Sequence, residues 1–360
     1  MFLHARQRLV WGGPDSRCRA RKLVLGYEEA RRLLTDSHRL LAAEYLAKGP
    51  ASAMSIAQVD PPEHTRLRAV VNHAFAARSI RAYQARVEGR ARRLAAGLRA
   101  GDQPFDAVSG FCVPYAFGVH CDVMGVPGRF RPQLYRWSWA RAADPLAGLA
   151  EIRQAELELH RGVGDVLDNL RHHPSDGVLT ALLDTHEQGG LTQRELKGLA
   201  ASLFFDGAHL AAAQLATALL CLLLHPAQLA PLRTGQLLPT AAVEEVLRYS
   251  PSITLGMARS SLSPAGLPAF VAFGPANRDP AAFGAPDRFD VARSPNRHLS
   301  FGRGIHHCLG AELARLELAT ALRVLLCERA GLRLAADPGT LAWTASPTIR
   351  TLDALPLTWY

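Results

Sequence analysis

One cysteine stands in the stretch SFGRGIHHCLGAELA, residues 300–314. Cys308 follows a glycine-rich turn and precedes segment 311–326, whose apolar spacing predicts a helix. The positive end of a helix and its free backbone N–H groups favour a thiolate at that position. The glycines around it let the backbone approach a flat or bulky group. A thiolate facing a large planar group is what an iron porphyrin needs as its axial ligand.

Other roles for Cys308 fit this stretch less well. A zinc ion needs ligands that converge tetrahedrally, whereas His306, His307 and Cys308 are adjacent in sequence. A nucleophilic cysteine needs a base and an oxyanion hole, and the sequence identifies neither. A purely structural cysteine stays open from this stretch alone, because free cysteines are often buried as small apolar residues.

The elements that must position this cysteine are mostly helices. Apolar residues recur three and four positions apart in segments 27–36, 63–76, 80–100 and 156–173. Strand patterns are few and short, at 22–26, at 269–273 and in the C-terminal LPLTWY. No internal repeat or low-complexity linker divides the chain. We therefore expect one mainly α domain with a small β portion over residues 1–360.

Composition excludes several classes of protein. The 360 residues are 48% apolar and 20% charged, an ordinary globular composition. Six scattered cysteines without a C-x-x-C pair argue against a disulfide framework. The net charge of +9 comes without a basic block that interleaves with aromatics, so we expect no nucleic-acid partner. The opening MFLHARQRLVWGG is too short in apolar residues for a signal or anchor, which predicts a cytoplasmic protein without membrane contact.

The longest predicted helix begins at Thr192. Thr192 and Glu195 form a capping box, and Pro226 ends the helical pattern. The stretch from Leu210 to the end of this helix is apolar nearly all round, so it should cross the core. Gly207 interrupts the pattern at a cost of about 1 kcal/mol relative to alanine. Its presence indicates either a functional role or close packing.

The stretch FGRGIHHCLG, residues 301–310, resembles the haem-binding signature F-x-x-G-x-x-x-C-x-G of the cytochrome P450 superfamily. Further resemblances follow in the family's order: DPPEHTRLR (60–68), the long helix, AAVEEVLRYSP (241–251) and ANRDPAAFGAPDRFD (276–290). Together they cover roughly residues 22 to 330. The resemblance implies the P450 fold of the soluble bacterial type. In that fold the haem lies between the long distal helix and the cysteine-ligand loop.

The resemblance also implies a cofactor, haem b (iron protoporphyrin IX), with Cys308 as the metal ligand. The implied cofactor-binding residues are His64, Arg68, Arg259, Phe301, Gly302, His306, Cys308 and Gly310. His64 and Arg68 are an i,i+4 pair on one helical face, suited to two carboxylate oxygens. Without the family context they would be a solvated basic face. By resemblance, these two residues, Arg259 and His306 contact the haem propionates.

The E-x-x-R helix contributes Glu245 and Arg248, and the segment 276–290 contributes a second arginine, Arg288. Alone, the first two could be an exposed helical pair worth a few tenths of a kcal/mol. By resemblance the three form a buried charged network that holds the haem-binding loop. That role is structural and not catalytic.

Three features depart from the family pattern. The start is short, so strands before residue 22 are expected to be missing, and the β region near 259–275 is expected to be reduced. The third departure lies in the long helix, where the family commonly has A-G-x-[ED]-T and this chain has DGAHL, residues 206–210. His209 replaces the acid and Leu210 replaces the threonine of a pair that delivers protons in the family.

We expect the segment 206–210 to line the distal haem face. Leucine can neither donate nor accept a hydrogen bond, so Leu210 cannot organise proton delivery. Asp206 and His209 are the groups of the segment that can relay protons, although His209 could instead only pack in a helix groove. The catalytic candidates are Asp206, Gly207, His209 and Leu210.

The predicted function is a haem-thiolate oxidoreductase, a monooxygenase acting on a specialised metabolite. Loss of the acid–alcohol pair fits three outcomes: a substrate that itself organises the proton-delivering water, the use of peroxide, or phenol or indole coupling, such as the cross-linking of aromatic side chains in a peptide. Electrons are expected from a ferredoxin and its reductase, docking on a basic face around Arg297, Arg303 and Arg315. The alternative is a haem-binding relative without turnover that recruits a partner. The residues of the substrate pocket carry no recognisable code.

Overall fold

The computed structural model describes residues 22–36, 55–57, 59–98, 104–142, 149–256, 259–260, 268–328, 331–344 and 348–359. Thirteen α-helices lie in the described part of the chain. They are α1 Tyr27–Thr35, α2 Glu63–Phe75, α3 Ala77–Ala82, α4 Gln84–Gly97, α5 Val113–Met124, α6 Arg131–Ala142, α7 Leu149–His172, α8 Val178–Glu187, α9 Gln193–Leu224, α10 Pro226–Arg233, α11 Pro239–Tyr249, α12 Phe273–Ala276 and α13 Ala311–Leu322.

The described strands form two three-stranded sheets. The strands are β1 Lys22–Val24, β2 Phe105–Asp106, β3 Arg259–Ser260, β4 Pro268–Val271, β5 Arg333–Leu334 and β6 Pro356–Thr358. In the first sheet, β4 lies between a parallel β1 and an antiparallel β3. In the second, β6 lies between β2 and β5, and both pairs are antiparallel. The mainly α fold with a small β portion is thereby confirmed.

Helix α9 runs through the main core, as its apolar sequence predicts. Its capping box is present: the Thr192 hydroxyl accepts from the Glu195 N–H, and the Glu195 carboxylate accepts from the Thr192 N–H. Helix α5 packs along it, and the second half of α9 is almost continuously buried. By length and composition α9 could also cross a membrane, but 67% of its most apolar window is buried inside the protein. It is the core helix that carries segment 206–210.

Two predicted helices differ from the observed elements. The continuous helix expected over 80–100 is divided into α3 and α4 at Tyr83. The Tyr83 N–H bonds to the carbonyl of Ile80, a 3₁₀-type turn that ends α3 directly before α4. The helix expected over 311–326 ends as α13 at Leu322, and a π-helical turn, Arg323–Cys327, continues it. Apolar spacing did not reveal either change.

Candidate functional site

The loop before α13 folds back on itself and presents Cys308. The Cys308 N–H donates to the carbonyl of Phe301 over 2.8 Å, and the Gly302 N–H donates to Leu299 over 2.7 Å. Gly302 has a φ of 68° and Gly304 a φ of 74°, the left-handed region that favours glycine. Gly304 has a second constraint, because a Cβ there would lie 2.6 Å from the Leu34 carbonyl oxygen of α1. These bonds fix the cysteine just before the helix.

The thiol of Cys308 sits in a mixed electrostatic environment. The residue has exposed surface, although protein surrounds its sulfur closely enough that burial raises the pKa of Cys308. The Gly310 N–H and the Arg68 charge act in the opposite direction and favour the thiolate. The helix end stabilises the thiolate, but desolvation outweighs it in the absence of a further positive charge.

Three of the predicted propionate contacts lie together beside this thiol. His64 is 3% exposed, and its ring meets the His306 ring edge-on with 4.4 Å between centroids. The Arg68 Nη2 donates to the His307 carbonyl over 2.7 Å, and its Nε donates to Asn72 over 2.9 Å. Burial lowers the pKa of Arg68, which still interacts electrostatically with Cys308. Two imidazoles and one guanidinium therefore converge near the thiol.

The remaining predicted cofactor contacts are placed less completely. Phe301 is partly buried, and the Arg315 guanidinium lies 4.6 Å above its ring centroid. A Cβ on Gly310 would meet nothing within 4 Å, so open space borders this glycine. Arg259 lies in β3, opposite Ala269 of β4, and its side chain is outside the described part. Its propionate contact stays a prediction.

Helix α9 brings Asp206 towards Cys308. Burial is the main cause of the raised pKa of Cys308, and the negative charge of Asp206, an exposed residue, is close enough to be a further cause. Segment 206–210 therefore faces the cysteine loop at this residue.

Gly207, one residue later, faces another element. A Cβ on it would lie 2.2 Å from the Cε1 atom of His120, a buried residue of α5. Burial lowers the pKa of His120 to about 4, so it is neutral at ordinary pH. The structure therefore supports close packing at Gly207, and not room for a cofactor.

His209 faces helix α6. Its Nε2 lies 3.0 Å from the Ser138 carbonyl oxygen, to which it can only donate, and its ring centroid is 3.8 Å from that of Trp139. The Tyr135 ring stacks on the Trp139 ring in turn, with 4.7 Å between the two ring centroids. Leu210, on the next position, is partly exposed and offers no polar atom. Proton relay by His209 stays a prediction. Its contacts with Ser138 and Trp139 join α9 to α6.

The buried charged network is present, with a different second arginine. Glu245 and Arg248 are both 0% exposed and form a bidentate ion pair with two N–O distances of 2.8 Å. Arg293, not Arg288, supplies the second guanidinium, 3.3 Å from Glu245. Arg288 has an exposed side chain and contributes only its backbone carbonyl, which accepts from Arg248 over 3.0 Å. The prediction of Arg288 was wrong because the chain turns after 288 and directs the later arginine inward.

Two polar residues that the sequence argument missed connect this network to the cysteine loop. The Arg248 Nη1 donates to the Asn277 carbonyl over 3.1 Å. The Asn277 side chain accepts from the Leu299 N–H over 2.7 Å and donates to the Ser300 hydroxyl over 2.8 Å. Both residues are buried, and the Ser300 hydroxyl donates to the Leu247 carbonyl of α11. The position of Ser300, directly before the glycine-rich loop, was the available signal.

A second ion cluster lies on the more exposed side of α11, at Glu244. Glu244 binds Arg315 over 2.8 Å and His298 over 3.1 Å, and Arg315 also pairs with Glu312. Burial would raise the pKa of Glu244, but the hydrogen bonds from His298 and Arg315 lower it to about 2. Arg315 is therefore partly neutralised within the protein, which weakens its place on the predicted docking face.

The residues at this site fit a haem. A thiol is the axial ligand donor, open space borders Gly310, and two imidazoles with a guanidinium are suited to carboxylates. Across from the thiol, the long apolar helix α9 presents Asp206. The cluster has the polarity that a planar group with two acidic substituents requires.

Comparisons with known proteins agree with this geometry. The family model described as cytochrome P450 matches residues 237–328. The mycinamicin IV hydroxylase/epoxidase of Micromonospora griseorubida is 34% identical over 354 residues, covering 94% of this chain and 89% of the relative. The nocardicin C N-oxygenase of Nocardia uniformis subsp. tsuyamanensis has the same identity and coverage.

Solved structures show the same likeness. The tirandamycin C-bound P450 monooxygenase TamI has a TM-score of 0.85 at 33% identity, covering 94% of this chain and 89% of that one. CxnD, a P450 for C–S bond formation in chuangxinmycin biosynthesis, has a TM-score of 0.85 at 30% identity, covering 93% and 87%. The relatives are P450 enzymes of secondary metabolism. This chain therefore belongs to the cytochrome P450 family and is an oxidoreductase of the P450 monooxygenase type.

Proposed function

We propose that this chain binds haem b through the Cys308 thiolate and oxidises a specialised metabolite in the cytoplasm. The observation that supports this most is the convergence of His64, Arg68 and His306 beside an exposed cysteine that faces Asp206. When bound, the haem iron supplies oxygen activation for oxidising a substrate. The protein supplies the ligand, the counter-charges and the shape of the substrate pocket.

The chain's own residues divide the work of holding the cofactor. Cys308 would hold the iron. Phe301, Gly302 and Gly310 would border the haem around this cysteine. His64, Arg68, His306 and Arg259 would neutralise the propionates. The positive charge of a bound iron would overcome the desolvation that raises the pKa of Cys308, since a coordinating thiol is deprotonated outright. Cofactor binding and thiolate formation are therefore coupled.

On the distal side, proton supply would depend on Asp206. Leu210 has no polar atom, and the Nε2 of His209 is engaged with the Ser138 carbonyl. Asp206 is exposed to solvent and faces Cys308, so a carboxyl at this position can exchange protons with water and pass them inward. Gly207 would contribute by packing on His120 and holding this turn of α9 in place.

The finer chemistry we propose is either oxygen insertion or coupling of aromatic side chains in a peptide. The missing acid–alcohol pair favours coupling, because coupling needs substrate oxidation and no transfer of oxygen to the product. CxnD, a relative of the same fold, is a P450 for C–S bond formation, so the fold supports bond formation of this general kind.

A panel of aromatic peptides and small metabolites tests the substrate class. Binding should shift the iron spin state of the haem-loaded protein in a saturable way. Product mass then separates the chemistries, since insertion adds one oxygen atom and coupling removes two hydrogen atoms. A spin shift by metabolites alone, with addition of one oxygen, would discard the peptide-coupling proposal.

The proposed electron donors are a ferredoxin and its reductase. Arg297 and Arg303 are exposed near the cysteine loop, and such a basic surface suits an acidic partner. Charge reversal of both, Arg297→Glu with Arg303→Glu, should slow reduction by ferredoxin and make it insensitive to salt. Turnover driven by peroxide should stay unchanged, because it needs no donor protein. An equal loss of rate in both assays would show that these arginines support folding and do not dock the ferredoxin.

The alternative function is haem binding without turnover, in a protein that recruits a partner. The unusual residues at 206–210 are the feature that favours it. Family membership and the convergence at Cys308 favour an enzyme instead. Turnover of a spin-shifting substrate with peroxide or a surrogate ferredoxin decides between them. Saturable binding with no product under either oxidant would support the alternative.

A further inference from the structure

A basic cavity lies away from the cysteine site, between α4, the turn after α5 and the end of α7. Its volume is about 810 Å³, within the range of about 300–1,000 Å³ that is typical of small-molecule sites. None of the residues proposed to hold the haem lines it. We call it the arginine pocket, and the guanidinium groups that line it are those of Arg86, Arg90, Arg93, Arg129 and Arg131.

The carboxylates that line the arginine pocket do not balance these charges. Asp122 binds Arg90 over 2.6 Å and Arg131 over 2.8 Å, so one carboxylate serves two guanidinium groups. Asp176 lies 3.8 Å from Arg86, at the limit of an ion pair. Five guanidinium groups therefore face two carboxylates, an excess of three positive charges among these side chains. Like charges at such density repel one another unless an anion joins them.

Two of the arginines lack a carboxylate partner within the described part of the chain. Arg93 and Arg129 are both exposed, and neither forms an ion pair there. Arg129 instead places its guanidinium 4.9 Å from the ring centroid of Phe130. These two side chains are therefore available to a ligand without breaking an existing ion pair.

The frame of the arginine pocket is fixed by close backbone packing. Gly125 ends α5 with a φ of 77°, and its carbonyl accepts from the Ser175 hydroxyl over 2.8 Å. Gly177 approaches the same turn so closely that a Cβ on it would lie 2.5 Å from the Gly125 Cα. The Arg131 Nε donates to the Val126 carbonyl over 2.9 Å. The two loops that border the cavity are thus held to each other, which fixes the spacing between the charges.

We propose that the arginine pocket binds an anion with two or more phosphate groups, such as pyrophosphate or a diphosphate ester. Guanidinium groups match phosphate oxygens in a bidentate manner, and the excess charge calls for a multivalent anion. Asn169 and Ser175 add neutral polar groups at the wall. The pocket is an open depression of ligand size, which suits a small multivalent anion, whereas an acidic protein would need a broader surface.

Calorimetric titration of the haem-loaded protein with inorganic pyrophosphate tests this proposal. At fixed ionic strength we expect one saturable site per chain, with inorganic monophosphate binding at least tenfold more weakly. The double variant Arg93→Gln/Arg129→Gln should weaken pyrophosphate binding at least tenfold. The matched double variant Arg78→Gln/Arg194→Gln removes the same charge from exposed arginines outside the pocket and should bind within twofold of the wild type.

Three results would overturn the proposal. The absence of saturable pyrophosphate binding would show that the cavity is only a basic surface. Equal weakening in the two double variants would assign the binding to net charge. Binding of an acidic protein that Arg93→Gln/Arg129→Gln abolishes, without any pyrophosphate site, would make the surface a protein-docking site instead. Intact haem loading and an unchanged melting temperature in both variants keep the comparison free of folding effects.

Discussion

The cysteine loop and the segment 206–210 of α9 approach each other at Asp206, but the positions of their residues are determined in different ways. In the loop, turns and backbone hydrogen bonds gather Cys308, Phe301 and His307 into one small volume. In the helix, adjacent residues diverge, because each position rotates by about 100° around the axis. Asp206 faces Cys308, Gly207 faces His120, and His209 faces Ser138. The residues of a loop motif therefore lie together. The residues of a helical motif must first be sorted by the helix face on which each one lies, and only then can roles be assigned to them.

Removing Glu245 should have the largest effect on the cysteine side. Glu245→Ala leaves Arg248 and Arg293 buried without their shared carboxylate, at a cost of about 3–5 kcal/mol. We expect poor folding and loss of haem, measured by chemical denaturation and haem content. The control is Glu312→Ala, which removes an exposed partner of Arg315 and should cost about 1 kcal/mol or less. Normal stability of Glu245→Ala would contradict the account of a buried network.

On the distal side, substitutions of Asp206 and His209 should differ in their effects on oxygen-driven and peroxide-driven turnover. Asp206→Asn keeps the shape but removes the proton donor, so oxygen-driven turnover should fall about 100-fold while peroxide-driven turnover is spared. His209→Phe removes the link to Ser138 and should lower both reactions by a similar factor. A selective loss of the oxygen-driven reaction in His209→Phe, with none in Asp206→Asn, would reverse the assignment. Equal retention in both variants would leave bound water or substrate as the proton source.

Packing at Gly207 can be tested independently of turnover. Gly207→Ala places a Cβ against the buried ring of His120, and such overpacking costs about 1–3 kcal/mol. Gly164→Ala in α7 is the matched control, because its Cβ would meet nothing within 4 Å and should stabilise the helix by up to about 1 kcal/mol. Thermal unfolding measures both. If His120→Ala does not relieve the cost of Gly207→Ala, the contact is not its cause.

The last effect depends on pH and concerns Glu317, a buried residue of α13. Burial raises its pKa to about 8, so it is neutral in the folded protein, whereas the unfolded carboxyl ionises near 4.5. Its contribution to stability is full below pH 4.5 and is lost as the pH rises towards 8, by about 1.4 kcal/mol per pH unit. Glu317→Gln should remove this part of the pH dependence, and Glu312→Gln on the exposed face should not. Parallel stability curves for Glu317→Gln and the wild type would show that the carboxyl is already ionised.

Much of the fold could be predicted because local signals agreed with the tertiary structure. The capping box at Thr192, the apolar run of α9 and the short strands β1, β4 and β6 were all confirmed. The division at Tyr83 was not predictable from spacing, since apolar residues continue on both sides of the turn. Neither apolar period nor propensity records such an interruption of a helix.

Part of the site could also be predicted, because local sequence determines which residues share a tight loop. Residues in one tight loop, such as His306 and Cys308, lie together wherever the loop goes. Arg293 was missed because its inward direction depends on a turn in which the carbonyls of Gly284, Ala285 and Arg288 accept hydrogen bonds from its guanidinium. Asn277 and Ser300 were missed because buried polar links between distant segments leave no periodic pattern.

The central proposal for this protein is that Cys308 is the thiolate ligand of the haem. Carbon monoxide added to the reduced, haem-loaded wild type measures this ligation in the Soret band. We predict the strongly red-shifted band of a thiolate complex, and its loss in Cys308→Ser when haem is still bound. An intact, haem-loaded wild type with only the band of a histidine-ligated complex, or an unchanged band in Cys308→Ser, would contradict the account.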